Sequence, residues 1–361
     1  MPRSRIAAGF LAALAAAFAA AGCAHRPTPV PTPQPLATPT PKPLAVDPLN
    51  GELVDPARLR HRVAAVMIDN YPFDARPQSG LHDAEIVYEV EAEGGITRYM
   101  ALYLAPTPAK IGPVRSTRTY FVNLAQPYDP LFAHAGENDD VWEPLKELRA
   151  GGFADMEEIV GTPEAFWRDD TRDMPHNLYT SIARIRKSAP DHGWPDTPFA
   201  ASPLRFDDPP QPSASATPIV ETVATAPPKT VDSFSVGFWL NYSVAFRRNG
   251  DAFERIINGV VQHDLDDARP YRVADVIVVW VPARVLDSLG DLAMDVYGDF
   301  PAAVVRPDGV TQARWEAPGP KDPPYLSDAS GAAIALIPGQ IYIEYVPQGG
   351  RLDVGKLHIS Y

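Results

Sequence analysis

In the first half of this sequence, charged and polar residues occur in short motifs between apolar segments. Arginine presents a planar fork of N–H donors that fits a carboxylate, a phosphate or the hydroxyls of a sugar ring. We therefore expect many of these side chains to converge on one binding cleft. The candidate binding residues are Asp69, Asn70, Arg76, Glu89, Glu93, Arg98, Arg115, Ser116, Arg118, His134, Arg168, His176 and Asn177.

The pair Arg115-Ser116 comes just before a predicted helix, where free backbone N–H groups favour an anion. The alternative interpretation is an internal ion-pair network, in which Glu89 and Glu93 pair with Arg98 and Arg118 across neighbouring strands. We favour the cleft, because a chain that needed only stability could fill such strands with apolar residues at lower cost.

Metal chemistry has little support in the sequence. His134, His176, Asp69 and Glu93 are the available ligands, but no two histidines have a ligand spacing such as H-E-x-x-H. A thiolate cluster is excluded, because the chain has a single cysteine. We therefore predict no metal site and no cofactor.

A hydrolase is the competing class of function. Ser79 or Ser116 could pair with His134 or His176, yet the sequence holds no G-x-S-x-G elbow. Paired carboxylates would be the better route, with one as general acid and the other as general base. We assign no catalytic residue, and enzyme activity stays open.

Three apolar runs in this half predict strands. Residues 63–68 are apolar throughout, and residues 85–93 alternate between an apolar face and a mostly acidic face. Gly94-Gly95 should turn the chain into a second strand over 96–104, which gives a hairpin. Helices are predicted at three places: near Ser116, over 139–149, and near Thr180 or Ser181.

Composition then divides the chain. A segment rich in Pro, Ser, Ala and Thr separates the first half from a region of short strands and Asn-Gly turns. The predicted fold class is α+β, with an N-terminal mixed-sheet domain flanked by helices and a smaller β-rich C-terminal domain. The predicted divisions are a signal peptide over 1–22, a lipidated cysteine and Pro/Thr-rich disordered tether over 23–55, the N-terminal domain over 56–205, a linker over 206–230 and the C-terminal domain over 231–361.

The amino terminus predicts a lipid anchor. Arg3 and Arg5 precede an apolar run over 6–21, and small residues then lead to Cys23. The run is short for a hydrocarbon core of about 30 Å, which favours a lipoprotein signal peptide over a membrane-spanning helix. Ala20 departs from the pattern, because a leucine is usual there. Cys23 is therefore the predicted lipidation site.

The formal charge of −13 excludes non-specific binding to nucleic acid as a function. The lipid would be the contact with the membrane, and a tether of proline and threonine would stay extended beyond it. We expect an extracytoplasmic location, on the outer face of the cell membrane or in the periplasm.

Several uncommon motifs in the sequence resemble those of the YerB-like lipoproteins, a two-domain bacterial family with no assigned reaction. The motifs are Val66-Met67-Ile68-Asp69-Asn70, Ala75-Arg76-Pro77-Gln78-Ser79-Gly80-Leu81, Glu93-Gly94-Gly95-Ile96-Thr97-Arg98, Ile111-Gly112-Pro113-Val114-Arg115-Ser116, Phe166-Trp167-Arg168-Asp169, Pro175-His176-Asn177-Leu178-Tyr179 and Pro338-Gly339-Gln340-Ile341-Tyr342. The resemblance covers about residues 60–347 and implies a two-domain extracytoplasmic lipoprotein.

The leading functional prediction is therefore non-catalytic recognition at the cell envelope. The ligand would be a glycan, a peptidoglycan fragment or a protein partner, bound by the polar face of the N-terminal domain. An envelope hydrolase that uses the carboxylates or histidines of that cleft is the alternative.

Overall fold

The first half of the chain forms a mixed sheet with three α-helices. The structure is a computed structural model that describes residues 43–199, 202, 204–207, 230–239, 242–288 and 290–361. The strands of this half are β1 (Ala45–Val46), β2 (Leu53–Val54), β3 (Ala64–Asp69), β4 (Ile86–Glu91), β5 (Thr97–Tyr103), β6 (Leu131–His134), β7 (Ala154–Glu157), β8 (Phe166–Arg168) and β9 (Leu178–Thr180). The helices are α1 (Thr119–Ala125), α2 (Asp139–Ala150) and α3 (Ile182–Ser188).

Short 3-10 helices link these elements, and the second half is built from strands. The 3-10 helices are Pro56–Leu59, Leu81–Asp83, Glu93–Gly95, Gln126–Tyr128, Pro163–Ala165 and Ala189–His192. The strands are β10 (Arg205–Phe206), β11 (Ser233–Gly237), β12 (Ser243–Asn249), β13 (Ala252–Ile257), β14 (Val260–Val261), β15 (Val273–Val281), β16 (Ala283–Val285), β17 (Leu292–Met294), β18 (Gly298–Arg306), β19 (Gly309–Ala317), β20 (Tyr325–Ser327), β21 (Ala335–Leu336), β22 (Gln340–Pro347), β23 (Arg351–Val354) and β24 (Leu357–Ser360).

One sheet joins the two halves. Its order is β24-β23-β11-β12-β13-β15-β22-β4-β5-β3-β6-β7, and β14, β18, β19 and β20 pair with members of this path. The junction is the parallel pair β22 and β4, in which Glu344 lies opposite Glu89. The predicted α+β class is confirmed, and the predicted linker lies almost entirely outside the described residues.

Hydrophobic cores cover both faces of this sheet. Ile86, Tyr88 and Val90 of β4 pack into one core, and Val87 packs into the other. Every residue of β4 is buried, and on the face that carries its acidic side chains Glu89 contacts Arg255 and Tyr242 of the second half. The acidic face predicted for this strand is therefore an interior surface.

The predicted hairpin and helices are present, with one shifted boundary. β4 and β5 pair in antiparallel fashion around Glu93–Gly95. α3 begins after Ser181, whose Oγ accepts from the backbone N–H of Arg184 at 3.2 Å. α1 begins at Thr119 rather than near Ser116, because the preceding backbone stays extended to bond with β3 and β6.

Candidate functional site

The ends of several strands meet at one edge of the sheet, here called the carboxyl edge. β3, β4 and β6 run in the same direction, and β5 runs against them between β4 and β3. The last residues of β3, β4 and β6 therefore lie near the first residues of β5. Crevices at the carboxyl ends of parallel strands are frequent ligand sites.

The extended segment before α1 crosses this edge and positions Arg115 and Ser116, which the sequence predicts to favour an anion. The backbone N–H of Arg115 donates to the carbonyl of Met67 at 3.1 Å, and the N–H of Ala135 donates to the carbonyl of Arg115 at 3.1 Å. Arg115 is therefore held between the end of β3 and the end of β6. Ser116 follows it at the same edge, where its backbone carbonyl accepts a hydrogen bond from Arg98 at 3.2 Å.

Asp69, the last residue of β3, holds a histidine and an arginine. The Nδ1 of His176 donates to Asp69 Oδ2 at 2.7 Å, and the Nε of Arg115 lies 3.1 Å from the same oxygen. The ring of Tyr71 stacks on His176, with 5.0 Å between the ring centroids. The side chain of Asp69 is 4% exposed, whereas that of Arg115 is 28% exposed. The buried carboxylate thus orients His176 and the partly exposed Arg115.

Glu93 joins two further arginines. Its Oε1 accepts from Arg98 at 2.5 Å and from Arg118 at 2.6 Å. Burial acts to raise the pKa of the Glu93 carboxyl, but the charges of Arg98 and Arg118 outweigh it and lower the pKa. Glu93 is therefore an ionised carboxylate shared by two cations.

These groups form one cluster with an excess of positive charge. Burial lowers the pKa of Arg98, and the like charges of Arg118 and Arg115 lower it further, while Glu93 opposes them. The three guanidinium groups therefore lie within electrostatic range of one another. We call this set the arginine cluster; it consists of Arg98, Arg115, Arg118 and His176 with the carboxylates of Asp69 and Glu93.

Three other candidates belong to a buried network that reaches the second half. Glu89 is fully buried, pairs with Arg255 and accepts from the hydroxyl of Tyr242 at 2.7 Å. Asn70 donates to Glu89 at 3.2 Å and accepts from the Nε of Arg76 at 2.6 Å. The structure thus places Glu89 and Asn70 in the interior, behind the arginine cluster.

The carboxyl of Glu344 completes this network. Burial raises its pKa well above the usual range, and the adjacent charge of Glu89 raises it further. The pKa of Glu89 is lowered instead, because the charge of Arg255 outweighs the effect of burial. At neutral pH the pair therefore holds one proton on Glu344 and one negative charge on Glu89.

His134 lies in a separate buried group. Its Nε2 donates to Asp155 Oδ1 at 2.7 Å and its Nδ1 to the carbonyl of Gly136 at 3.0 Å. Burial acts to lower the pKa of His134, but Asp155 outweighs burial and raises it. Asp155 also binds Arg149, so this histidine is a charged structural group rather than a free ligand.

The exposed Arg168 contacts Asn177, a buried residue next to His176 in the sequence. The Nη1 of Arg168 donates to Asn177 Oδ1 at 3.0 Å, and its Nη2 donates to Glu158 at 3.0 Å. The antiparallel pair β8 and β9 brings the two residues together. Both residues lie outside the arginine cluster, and only Arg168 is exposed.

The described residues contain one group with the spacing of a metal site, and its members differ from the residues considered as metal ligands in the sequence. His82, Asp264 and Asp267 place their ligand atoms within 4.8 Å of one another. Both ring nitrogens of His82 face carboxylates, Asp264 at 2.8 Å and Asp83 at 2.9 Å. Burial acts to lower the pKa of His82, but these partners raise it to about 9. In this arrangement the group is an ion-pair network between the two halves.

The sequence did not lead us to predict the residues of the second half that contact Glu89 behind the arginine cluster. Arg255 stands in β13 between the buried residues Phe253 and Ile257. A lone arginine at an inward position of an alternating strand indicates a buried acidic partner, and that signal was available. Tyr242 and Glu344 carried no comparable signal, since each also fits an ordinary strand position.

The two halves of the chain match two family models. Residues 49–195 match the model described as the N-terminal domain of a protein of unknown function (DUF3048), and residues 234–343 match the C-terminal domain model. The chain belongs to the DUF3048 family. The predicted two-domain architecture and the predicted resemblance are confirmed.

Relatives of this DUF3048 chain include a protein of Bacillus subtilis. The chain is 28% identical over 311 residues to "Putative lipoprotein YerB" of strain 168, which covers 86% of this chain and 88% of the relative. It also matches the crystal structure of the YerB protein from Bacillus subtilis with a TM-score of 0.72 and 26% identity, over 86% of this chain and 99% of that one. The arginine cluster lies inside the N-terminal family match, and Arg255 lies inside the C-terminal match.

Proposed function

We propose that this protein is an extracytoplasmic lipoprotein anchored through Cys23. The basic start, the short apolar run and the single cysteine support the anchor, and the relative from Bacillus subtilis is named as a lipoprotein. Cys23 and its signal peptide lie outside the described residues. Among the residues that the structure describes, none of the helices is long and apolar enough to cross a membrane.

We further propose that the carboxyl edge recognises an anionic ligand of the cell envelope. The observation that carries this proposal is the charge balance of the arginine cluster. Among the residues that the structure describes, Arg98, Arg115 and Arg118 pair with only two carboxylates, those of Asp69 and Glu93. A carboxylate or phosphate of a ligand would supply the missing negative charge.

Arg115 is the best placed of these groups to contact the ligand. The Nε of Arg115 lies 3.1 Å from Asp69 Oδ2. The Arg115 side chain is 28% exposed, which leaves part of the guanidinium group accessible to a ligand. Bidentate pairing of a guanidinium with a carboxylate or phosphate gives both affinity and orientation. A peptidoglycan fragment, whose peptide stem carries free carboxylates, fits this chemistry better than a neutral glycan does.

A purely structural role for the cluster is the interpretation to test against. Glu93 with Arg98 and Arg118 would stabilise the fold without any ligand, as an ion-pair network does. Arg115 differs from these two arginines, because it is more exposed and its only described ionic partner is Asp69. Its substitution therefore separates recognition from stability.

The experiment is to titrate the full chain with a soluble muropeptide that carries free carboxylates, and with a neutral chitooligosaccharide, by calorimetry. We expect the muropeptide to bind, and Arg115→Ala to weaken it at least about tenfold with a small change in the free energy of unfolding. Arg247→Ala serves as control, because Arg247 is an exposed arginine of β12 paired with Glu254.

Equal binding by wild type and Arg115→Ala, together with a large loss of stability in the variant, would favour the structural network. Equal binding of the neutral oligosaccharide would remove the anionic ligand class.

A hydrolase is the second candidate, and one contact favours it. The Asp69 carboxylate fixes the Nδ1 of His176, which leaves Nε2 able to take or give a proton. The paired-carboxylate route has less support, because Glu93 is held by two arginines and Glu89 is fully buried. Release of fragments from purified peptidoglycan, abolished by His176→Asn and by Asp69→Asn, would establish this function in place of simple recognition.

A further inference from the structure

A cavity of about 240 Å³ lies between the two halves of the chain. One wall comes from the loop that follows β3, and the other comes from the hairpin of β13 and β14 with the two residues after it. Since one water molecule occupies about 30 Å³ in the liquid, the space can hold a molecule of about eight non-hydrogen atoms. The cavity is lined by residues 72, 76, 77, 257, 258 and 260–263, none of which belongs to the arginine cluster.

The lining combines apolar side chains with a positive charge. Its apolar members are prolines and aliphatic residues from both halves, and Arg76 supplies the charge. Among the residues that the structure describes, no aspartate or glutamate lines this cavity, although the chain as a whole has a formal charge of −13. The local charge therefore favours an anion and disfavours a cation.

Arg76 is held in place by the backbone and side chain of one residue. Its Nε donates to Asn70 Oδ1 at 2.6 Å, and its Nη2 donates to the carbonyl of Asn70 at 2.8 Å. The guanidinium group lies 5.9 Å from the ring centroid of Tyr242. Its Nη1 has no hydrogen-bond partner in the described part of the chain, and this atom is not shut off from solvent. A molecule in the cavity can therefore accept a hydrogen bond from a guanidinium group that is already oriented.

The charge of Arg76 is not balanced by the buried network behind it. In that network Glu89 carries a negative charge and pairs with Arg255, while the carboxyl of Glu344 is neutral. Asn70 separates Arg76 from Glu89, because it donates to Glu89 and accepts from Arg76. No carboxylate of the described residues lies within ion-pairing distance of Arg76. An anion in the cavity would supply the missing partner.

We propose that this cavity binds a small organic carboxylate with an apolar body. The carboxylate accepts a hydrogen bond from Nη1 of Arg76, and the apolar body packs against Pro77, Val260 and Val261. Inorganic phosphate satisfies the charge but leaves the apolar wall uncovered. Because the two walls belong to different halves of the chain, the bound molecule contacts both halves and stabilises their association.

The test is calorimetric titration of the full chain with three related probes. Isovalerate supplies the carboxylate and the apolar body, isovaleramide has the same shape without the charge, and acetate has the charge without the apolar body. We expect isovalerate to bind at millimolar concentration, and each of the other two to bind about tenfold more weakly or less.

Variants of the exposed Val260 test the site without disturbing the interior. Val260 lines the cavity and is 60% exposed, so its substitution should not impair folding. Val260→Glu places a negative charge beside the ligand and should weaken isovalerate binding about tenfold. Val260→Gln has the same size without the charge and should bind within about threefold of wild type.

Arg76→Gln tests the cation itself. It should weaken isovalerate binding at least about tenfold, and urea unfolding of the variant checks that the loss of the bonds to Asn70 leaves it folded. Arg314→Ala, which removes an exposed arginine of β19 paired with Asp299, should leave the affinity unchanged.

Three outcomes would overturn the proposal: no binding of isovalerate, equal binding of isovaleramide, or equal affinity in Val260→Glu and Val260→Gln. A carboxylate bound at the arginine cluster instead would give the last of these, because no residue of this lining belongs to that cluster.

Discussion

Glu89 of β4 and Arg255 of β13 form an ion pair from which solvent is fully excluded. The two residues are 166 positions apart, and each belongs to a different family region. The pair therefore links the strand behind the arginine cluster to the second half of the chain. Glu344, on the strand that joins the halves, lies beside it as a neutral carboxyl.

This arrangement predicts compensation between the two glutamates. In Glu89→Gln, the charge that keeps Glu344 protonated is lost, so Glu344 can ionise and pair with Arg255 in its place. We expect a moderate loss in the free energy of unfolding, about 1–3 kcal/mol. Glu89→Gln with Glu344→Gln leaves Arg255 without any anion and should lose about 3–5 kcal/mol. Urea unfolding at pH 7 measures both.

The comparison needs a surface reference. Arg247→Gln breaks the exposed pair with Glu254 and should cost about 1 kcal/mol or less. Losses that simply add between Glu89→Gln and Glu344→Gln would show that Glu344 does not take over the role of Glu89.

The sequence predicted the strands around this pair but not the pair itself. The apolar run at the start of β3 and the alternation of β4 are local patterns, and a Gly-Gly turn fixes their hairpin partner. The burial of Glu89 depends on Tyr242, which directly precedes β12, and on Arg255 of β13, both from the other half of the chain. Period-two alternation shows which side chains share a face, but it does not show what packs on that face.

The same reasoning explains the outcome for the candidate site. Asp69, Arg98, Arg115, Arg118 and His176 belong to the thirteen residues that the sequence predicts to converge on one cleft, and strand direction brings these five to one edge. His134 ends β6 at that edge, yet its side chain points to Asp155 on the neighbouring β7. The local sequence pattern predicts the strand to which a residue belongs. The side chain that the residue contacts depends on the order of the strands in the sheet.

Glu91 predicts how stability depends on pH. Burial raises the pKa of this carboxyl to about 7, against a partial lowering by the backbone N–H of Trp239. Between the unfolded pKa near 4.5 and the folded value, the folded state binds more protons than the unfolded state. The contribution of Glu91 to the free energy of unfolding therefore falls as pH rises through that window.

Glu91→Gln removes this contribution, because glutamine stays neutral and can still accept from Trp239. We expect the variant to be more stable than wild type by about 1–3 kcal/mol at pH 8, and by much less at pH 5. Thermal unfolding at the two pH values checks this. A difference of the same size at both would assign the effect to packing rather than to titration.

Glu93 predicts opposite effects on stability and on ligand binding. Glu93→Gln removes the anion shared by Arg98 and Arg118, so the variant should lose about 1.5–3 kcal/mol at pH 7. Because the folded pKa of Glu93 is lowered, the wild-type advantage is present above pH 4.5 and disappears as pH falls through the folded pKa.

The same variant increases the positive excess of the arginine cluster. If the cluster binds an anion, Glu93→Gln should bind the muropeptide about three- to tenfold more tightly, whereas Arg115→Ala weakens it. Calorimetry on the two variants side by side measures the contrast. A weaker complex in both would mean that Glu93 orients the arginines more than it neutralises them.

We predict that the backbone at Gly80 tolerates no side chain. Its φ is +75°, and a Cβ built there would lie 2.4 Å from the carbonyl oxygen of Lys110. Its N–H also donates to Asp264 of the second half at 2.6 Å, so the backbone cannot move away without loss of that bond.

Gly152 has a φ of +94° with open space around it. Gly152→Ala should therefore cost about 1 kcal/mol from backbone strain alone, and Gly80→Ala about 2–4 kcal/mol. Chemical denaturation of both variants separates the steric clash from the conformational cost, and equal losses would contradict the tight contact with Lys110.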